Sequence, residues 1–385
     1  MKQFGKRILC CLMGLLLLAP KTVFASEYNY KEMIQETADS LQALSAAGEN
    51  ALLKDASNIL PGESTSDWIA MVLAFSGETD AYAFYLGQLE SYVSEQYDQK
   101  GYLEEIKATE YHRIILTMLA LGGNPEEIKT EKGTISLVAD GTYNFHGESL
   151  DQQGSNGLLY GLLALDSMNY EVPEEARFTR EDMIAELLTY QSPNGGFALS
   201  GDGSGDLDIT AMALQALAPY TDQEAVNGAV LKALSWISEQ MTEQGTFSAY
   251  DSESAESVAQ VILALCALDL DPETDERFVK NEVSLPDSLN RFRMEDGMYM
   301  HTRSDNEADP IATWQALLAL EAMEKRSAGE GWILDFTDYE APQQISDLSA
   351  GSMIAIAGCV IFVGLVIALM LKKRNTPPKQ EGRDR

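Results

Sequence analysis

The sequence predicts an all-α fold in which six helix pairs close into a ring, an (α/α)6 toroid with an inner and an outer layer of helices. Three observations lead to this prediction: a helical phrase that occurs six times, an alanine at one fixed position of every copy, and one-sided amphipathic segments between the copies. The copies recur every 44 to 55 residues and end at Phe75, Leu121, Leu165, Leu217, Leu265 and Leu320.

Each copy is expected to form a buried inner helix. The phrases WIAMVLAF and TWQALLAL are typical, with apolar residues on nearly every side of the helix. The residue before the last is alanine in all six copies, and the position three before the end is always apolar. A small residue beside bulky ones allows two helices to pack closely, so the six copies predict one continuous inner layer.

The segments between the copies are apolar on one side only, which predicts outer helices that cover the inner ones. These segments are residues 30–47, 81–97, 178–190, 223–240 and 275–292, with a weaker one at residues 128–138. An open superhelical solenoid has the same periodicity, and the pattern alone does not exclude it.

A glycine followed by an aromatic residue precedes the inner helix in the four later copies, as DGTY, NGGF, QGTF and DGMY. These stretches place Tyr143, Phe197, Phe247 and Tyr299 at spacings of 54, 50 and 52 residues. Glycine permits a tight turn, and the aromatic ring can then pack between neighbouring repeats. We expect these turns to form the rim of the ring.

The two ends of the sequence predict export and membrane attachment. A basic start with Lys2, Lys6 and Arg7 and an apolar run predict a signal peptide over residues 1–25, with an uncleaved anchor as the alternative. Residues 352–371 are apolar or small throughout, enough to cross a ~30 Å hydrocarbon core. The basic residues 372–385 would then lie in the cytoplasm. We expect the toroid at residues 26–338, outside the cytoplasm, and a linker at residues 339–351.

The charge and the cysteine content of the chain limit the functions that it can have. The expected extracytoplasmic region holds 58 acidic and 17 basic residues, a net charge of about −41, which excludes nucleic acid as a natural partner. Cys266 is the one cysteine in that region, so no disulfide can form within it. A single-pass topology with a basic tail and no disulfide is typical of Gram-positive bacterial surface proteins.

The stretch Gln191-Ser-Pro-Asn-Gly-Gly-Phe197 resembles the Q-x-x-x-G-x-W repeat of squalene and oxidosqualene cyclases. The region from Tyr30 to Arg326 looks like the prenyltransferase and squalene-cyclase repeat superfamily, and the resemblance implies an α/α-toroid. Only one copy carries the complete glutamine form, so the resemblance predicts the fold more firmly than any activity.

The activities that the resemblance implies find little support in these residues. Squalene cyclases use D-x-D-D-T-A, and the sequence from Asp206 to Ala211 matches except for Ile209 in place of the last acid. No zinc-ligand spacing of the protein prenyltransferases is recognisable, and the Gly-Cys-Gly-Glu-Gln thioester stretch is absent. We therefore favour a non-catalytic protein without a cofactor.

Three alternatives remain open. The cobalamin carriers of the superfamily clamp a corrinoid between the toroid and a β-rich domain, which a partner protein would have to supply. A glycan-active hydrolase or lyase would need two carboxylates at the barrel mouth, for which the candidates are Asp140, Asp202, Asp206, Asp296 and Asp309. A weak calcium loop would use Asp202, Asp206 and Asp208, although the glutamate that closes such a loop is missing.

The favoured interpretation is a membrane-anchored cell-surface protein whose toroid recognises a small molecule or another surface protein. The residues expected to line the rim of its cavity are Tyr143, Phe145, Phe197, Asp202, Asp206, Asp208, Phe247, Tyr250 and Tyr299. The register also assigns Asp206 a structural role, because it lies where a helix N-cap is needed. The same position holds Ser64, Ser254 and Asp309 in other copies.

Overall fold

The computed structural model describes residues 28–342, except residues 47, 49, 50, 202, 250 and 251. The expected signal peptide, transmembrane segment and basic tail lie outside these residues. Among the helices that are described, none is both long enough and apolar enough to cross a bilayer.

Twelve α-helices occur within the described residues. In chain order they are α1 (Tyr30–Gln42), α2 (Ser64–Ser76), α3 (Tyr82–Lys100), α4 (Ala108–Ala120), α5 (Leu137–Gly141), α6 (Asn156–Asp166), α7 (Arg180–Thr189), α8 (Leu207–Leu217), α9 (Glu224–Gln240), α10 (Ala255–Ala267), α11 (Leu285–Asn290) and α12 (Pro310–Ala328). The six even-numbered helices coincide with the repeated phrase and form the inner layer. The odd-numbered helices form the outer layer.

The inner helices form a closed ring. Each even-numbered helix packs against the next one along the chain, and α12 packs against α2. This last contact excludes the open solenoid, and the predicted toroid is confirmed. The amino-terminal helix α1 seals the closure by packing mainly on α12. There, Thr37 Oγ1 donates a hydrogen bond to the Gly297 carbonyl at 2.9 Å, and Arg293 pairs with Glu36 at 2.5 Å.

Two outer segments differ from the predicted helices. Residues 128–135 form a short antiparallel hairpin of β1 (Ile128–Thr130) and β2 (Gly133–Ile135), followed by the five-residue α5. Gly133, with φ +132°, supplies the turn conformation that a helix cannot contain. In the segment 275–292 only α11 is helical, because Ser284 caps it and Pro286 occupies its first turn. A second small hairpin pairs β3 (Ser248–Ala249) with β4 (Ser252–Glu253).

The inner helices begin largely where the register predicts. Asp206, Ser254 and Asp309 are N-caps, and each side chain accepts a backbone N–H of the first turn. Ser64 instead is the first residue of α2, behind the N-cap Glu63. Each cap accepts a hydrogen bond from a backbone N–H group that would otherwise stay unpaired at the start of a buried helix.

An ion pair inside the ring joins two neighbouring inner helices. Arg113 Nε of α4 lies 2.9 Å from Asp67 Oδ2 of α2, and both side chains are almost completely buried. Tyr85 donates a second hydrogen bond to Asp67 at 2.7 Å, and Arg113 also donates to the Gly62 carbonyl at 2.8 Å. Because both Asp67 and Arg113 have hydrogen-bond partners, their buried charges are stabilised. The pair therefore fixes the register of α2 against α4.

Candidate functional site

The ring has two open ends, which we call the N-terminal mouth and the C-terminal mouth after the inner-helix termini that form them. The rim residues expected from the sequence belong to the turns and first helical turns of the N-terminal mouth. Asp202 and Tyr250 lie outside the described residues, so their place in the site stays a prediction.

The glycine-aromatic turns are built alike in the last three repeats. Gly195, Gly245 and Gly297 have φ values of +107°, +79° and +88°, a conformation that favours glycine. In the first of these turns, Gln191 Nε2 donates to the carbonyls of Gly195 at 2.9 Å and Ala229 at 2.8 Å. The glutamine of the Q-x-x-x-G-x-F stretch therefore fastens the turn to the outer helix α9.

The aromatic residues of these turns are part of the core. Phe145, Phe197, Phe247 and Tyr299 are all fully buried, and only Tyr143 is half-buried. The Phe197 amide donates to Thr210 Oγ1 of the following inner helix at 2.8 Å, which holds the ring inside the repeat. The four buried rings contribute packing between repeats, and they offer no face on which a ligand could stack.

Asp206 and Asp208 lie two residues apart at the start of α8 and have different surroundings. Asp206 Oδ1 accepts the Ile209 amide at 3.0 Å, as expected of a cap. Asp208 is largely buried, and its Oδ1 has no hydrogen-bond partner within the described part of the chain. Burial raises its pKa to about 6; the charges of Asp206 and Glu256 act in the same direction, and a hydrogen bond from Ser257 opposes them.

Two further residues, Glu256 and His301, form one cluster with Asp206 and Asp208. Neither of them was among the predicted site residues. His301 Nδ1 lies 2.8 Å from Glu256 Oε1, and this hydrogen bond raises the pKa of His301. Burial raises the pKa of Glu256. Asp208, with its pKa near 6, can hold or release a proton close to neutral pH, which is the chemistry of a proton donor or of a site for hydrogen-bond donors.

The positions of Asp208 and Glu256 can be recognised when the six copies of the repeat are aligned. Glu256 and Asp208 both lie nine residues before the aligned end of their copies, and the same position is polar in five of the six copies. The other three are Ser66, His112 and Asn156. Of these, His112 is buried inside the core, donates to the Gly141 carbonyl at 2.6 Å, and has its pKa lowered to about 4 by burial.

The structure gives no support to a metal site at this mouth. No group of three or more His, Cys, Asp or Glu side chains in the described ranges is arranged to hold a metal ion. The calcium hypothesis includes Asp202, which lies outside those ranges, and it stays a prediction.

Aromatic side chains cross the lumen of the ring. The Trp68 ring of α2 lies 6.1 Å from that of Tyr160 of α6 and stacks on Trp314 of α12 at 5.4 Å. Since α4 separates α2 from α6, the contact between Trp68 and Tyr160 joins two inner helices that are not neighbours in the ring. Tyr160 also lies 3.2 Å from the Met212 sulfur of α8. Trp68, Tyr160 and Met212 are partly exposed, so their surfaces remain accessible from the open space of the ring.

A chain of amides links three of the inner helices. Gln215 donates to Gln260 at 3.0 Å, and Gln260 donates to Gln315 at 2.8 Å. The three glutamines belong to the successive inner helices α8, α10 and α12. The lumen therefore combines flat apolar surfaces with fixed hydrogen-bonding groups, a composition typical of small-molecule sites.

The C-terminal mouth is covered by residues 332–339, which we call the strap. The Phe336 amide donates to the Ser167 carbonyl at 2.8 Å, and Tyr339 Oη donates to the Ala120 carbonyl at 3.1 Å. Phe336 and Tyr339 also pack against Phe75. Tyr339 lies one residue beyond the predicted end of the toroid and still belongs to its packing.

A cavity of about 600 Å³ lies between the strap and the ends of α6 and α8. Its polar wall contains Asp166, which pairs with Arg180 at 2.9 Å and accepts a hydrogen bond from Tyr220 at 2.7 Å. This cavity could not be predicted from the sequence, because the strap that closes it lies outside the repeat.

Comparisons with known proteins agree with this architecture. Residues 138–327 match the family model of the prenyltransferase alpha-alpha toroid domain. No curated protein matches the sequence.

Several solved structures have a similar backbone fold. Unsaturated glucuronyl hydrolase from Bacillus sp. GL1 is 11% identical with a TM-score of 0.49, over 78% of this chain and 96% of that one. Protein geranylgeranyltransferase-I from Candida albicans is 12% identical with a TM-score of 0.49, over 78% and 92%. A type II terpene cyclase from Scytonema is 14% identical with a TM-score of 0.46, over 78% and 99%. Identities this low transfer no activity.

The family match covers the last four inner helices with the outer helices between them, and the described chain closes the same ring with two further pairs. Residues 138–327 therefore match the prenyltransferase alpha-alpha toroid domain, and the rest of the described ring continues the same fold.

Proposed function

We propose that the protein is a membrane-anchored, extracytoplasmic recognition module whose toroid binds a ligand or a surface protein without chemical conversion. The ligand enters at the N-terminal mouth and reaches the lumen. The mouth supplies the carboxylates of Asp208 and Glu256, and the lumen supplies the rings of Trp68 and Tyr160.

This proposal rests mainly on polar atoms that have no hydrogen-bond partner between the N-terminal mouth and the lumen. Asp208 Oδ1, Asn156 Oδ1 and Trp314 Nε1 are buried and have no partner among the described residues. An unmatched buried polar atom costs about 1–3 kcal/mol, and a ligand that supplies the missing partner recovers that free energy. The expected ligand has a flat apolar face, a donor for Asp208 and an acceptor for the Trp314 N–H.

A binding screen with the full-length chain in a non-ionic detergent tests this proposal. Corrinoids, calcium and cell-wall glycans are compared by thermal shift, and each hit is followed by calorimetry. Trp314→Phe keeps the stacked ring and removes the N–H, so it should weaken binding about ten-fold. Trp332→Phe is the matched control, because its Nε1 is also buried without a partner but belongs to the strap. Equal affinity in the two variants would contradict binding in the lumen.

A glycan-active enzyme is the second candidate, and the pair formed by Asp208 and Glu256 favours it. Each carboxyl has a raised pKa, and the charge of Glu256 contributes to the shift of Asp208. Two acids with coupled ionisation at one mouth are the groups that glycoside hydrolysis requires. Release of product from a cell-wall glycan, abolished by Asp208→Asn and by Glu256→Gln, would replace the non-catalytic proposal with this one.

The membrane anchor and the orientation rest on the two apolar ends and the charge of the chain. The toroid carries a large negative charge, whereas basic residues follow the second apolar segment. Protease added to intact cells should digest the toroid and leave the carboxyl-terminal tail protected. Digestion of a tag placed after Arg385 without cell lysis would refute the orientation.

A further inference from the structure

The inner helix α12 contains a buried acid, Glu321, that has no hydrogen-bond partner among the described residues. Glu321 is 5% exposed, and neither carboxyl oxygen accepts or donates a hydrogen bond within the described part of the chain. It lies after the aligned end of the sixth copy, where α12 continues to Ala328. A carboxyl group without a partner is costly to bury, so its retention points to a partner that the chain does not contain.

A cavity of about 420 Å³ adjoins this carboxyl group. Its walls come from α1, from the end of α2, from α12 and from the strap. Phe75 and Tyr339 supply aromatic surfaces, and Ile34 and Ile333 supply aliphatic ones. An acid at the base of an aromatic and aliphatic pocket attracts a cation that also has an apolar part, through charge and through the ring faces.

The cavity contains two lysines, and both already have partners. Lys31 pairs with Glu324 at 3.4 Å, and Lys325 Nζ donates to the Trp332 carbonyl of the strap at 3.0 Å. Glu78 and Glu330 add negative charge at the edge of the cavity, and burial raises the pKa of Glu78. The charge of Glu321 in turn helps to raise the pKa values of the Tyr82 and Tyr339 phenols. No described cation therefore neutralises Glu321.

We propose that this cavity is a binding site for a small organic ammonium ion, with Glu321 as its counterion and Phe75 and Tyr339 as its aromatic walls. The bound ammonium group donates hydrogen bonds to the Glu321 carboxylate, while its alkyl part contacts Ile34 and Ile333. The site lies at the C-terminal mouth, under the strap, and is independent of the ligand path proposed for the N-terminal mouth.

Proton release is the distinguishing property of this site. Burial holds the pKa of Glu321 well above its ordinary value, so an empty cavity favours the protonated carboxyl group. Binding of the ammonium ion favours the ionised carboxylate, and the proton leaves to the solvent. Affinity should therefore rise with pH, and a neutral molecule of the same shape should show no such dependence.

The test uses the full-length chain, with n-butylammonium as the probe and 1-butanol as its neutral counterpart. Calorimetry at pH 8 should give at least ten-fold tighter binding of n-butylammonium to the wild type than to Glu321→Gln. Glu90→Gln is the matched control, because it removes the same charge from an exposed position of the outer helix α3, away from the cavity. Its affinity should stay within about two-fold of the wild type.

A second measurement needs no variant and decides the matter if Glu321→Gln does not fold. Calorimetry of the wild type in buffers of different ionisation enthalpy should show close to one proton released for each n-butylammonium bound below the carboxyl pKa. Either equal binding of n-butylammonium and 1-butanol to the wild type or equal binding of n-butylammonium to wild type and Glu321→Gln would overturn the proposal. Binding without proton release across the acidic range would overturn it as well.

Discussion

Replacing Asp208 with asparagine is expected to stabilise the protein at neutral pH and to destabilise it slightly at acidic pH. Asp208 is largely buried at the start of α8, and its pKa is raised from 3.8 to about 6, chiefly by burial. The folded state therefore binds the proton more tightly than the unfolded state. Its contribution to stability is complete below the unfolded pKa of 3.8 and is lost as pH rises through the folded pKa.

The magnitude follows from the shift. A difference of about two pKa units corresponds to ~3 kcal/mol, which is the cost of ionising Asp208 in the folded protein above pH 6. Asparagine avoids this cost, but its amide N–H groups are then buried with few partners, a penalty of ~1 kcal/mol. Asp208→Asn should therefore raise the free energy of unfolding at pH 7 by ~2 kcal/mol. Near pH 4 the cost of ionisation is absent and only the penalty remains, so the variant should be ~1 kcal/mol less stable than the wild type.

Urea unfolding of wild type and variant between pH 4 and pH 8, followed by circular dichroism, measures this difference. Asp309→Asn is the matched control, because it is also at the start of an inner helix and asparagine caps a helix as well as aspartate does. It should change stability by less than ~0.5 kcal/mol at every pH. A loss of stability in Asp208→Asn at pH 7, or a gain that does not vary with pH, would refute the assignment of a buried, destabilising carboxylate.

Four further substitutions test the fold by the same unfolding assay. Asp206→Ala should lower stability by ~1 kcal/mol, because α8 loses its cap; loss of ligand binding without loss of stability would instead give this residue a functional role. Gly195→Ala should cost ~2 kcal/mol, since φ is +107° and a carbonyl lies 2.7 Å from the new Cβ, whereas Gly228→Ala, in open space on α9, should gain about 0.5–1 kcal/mol. Arg113→Met should cost ~3–5 kcal/mol by leaving Asp67 buried and unpaired, and a cost below 1 kcal/mol would mean that the pair is solvated.

The candidate site was only partly predictable from the sequence. Asp208 could be named because the acids before α8 stand out, and its register partner Glu256 is visible once the copies are aligned. His301 could not be assigned to Glu256, since a histidine in a loop between repeats has no periodic position. Phe197 and Tyr299 were placed at a ligand-binding rim, and they are buried instead, because a pattern of residues shows that an aromatic ring recurs but not which way it faces.

The sequence by itself determined the number of inner helices, the ends of all but α12 to within two residues, and three of their six caps. These features depend on local forces, namely backbone hydrogen bonding and the burial of one helical face, and they leave a periodic record. Only the tertiary structure decided that α12 packs against α2, that Trp68 meets Tyr160 across the lumen, and that the strap brings Tyr339 onto Ala120, 219 residues earlier in the chain. Periodicity records which side of a helix is buried. The identity of the partner on that side depends on how the whole ring closes.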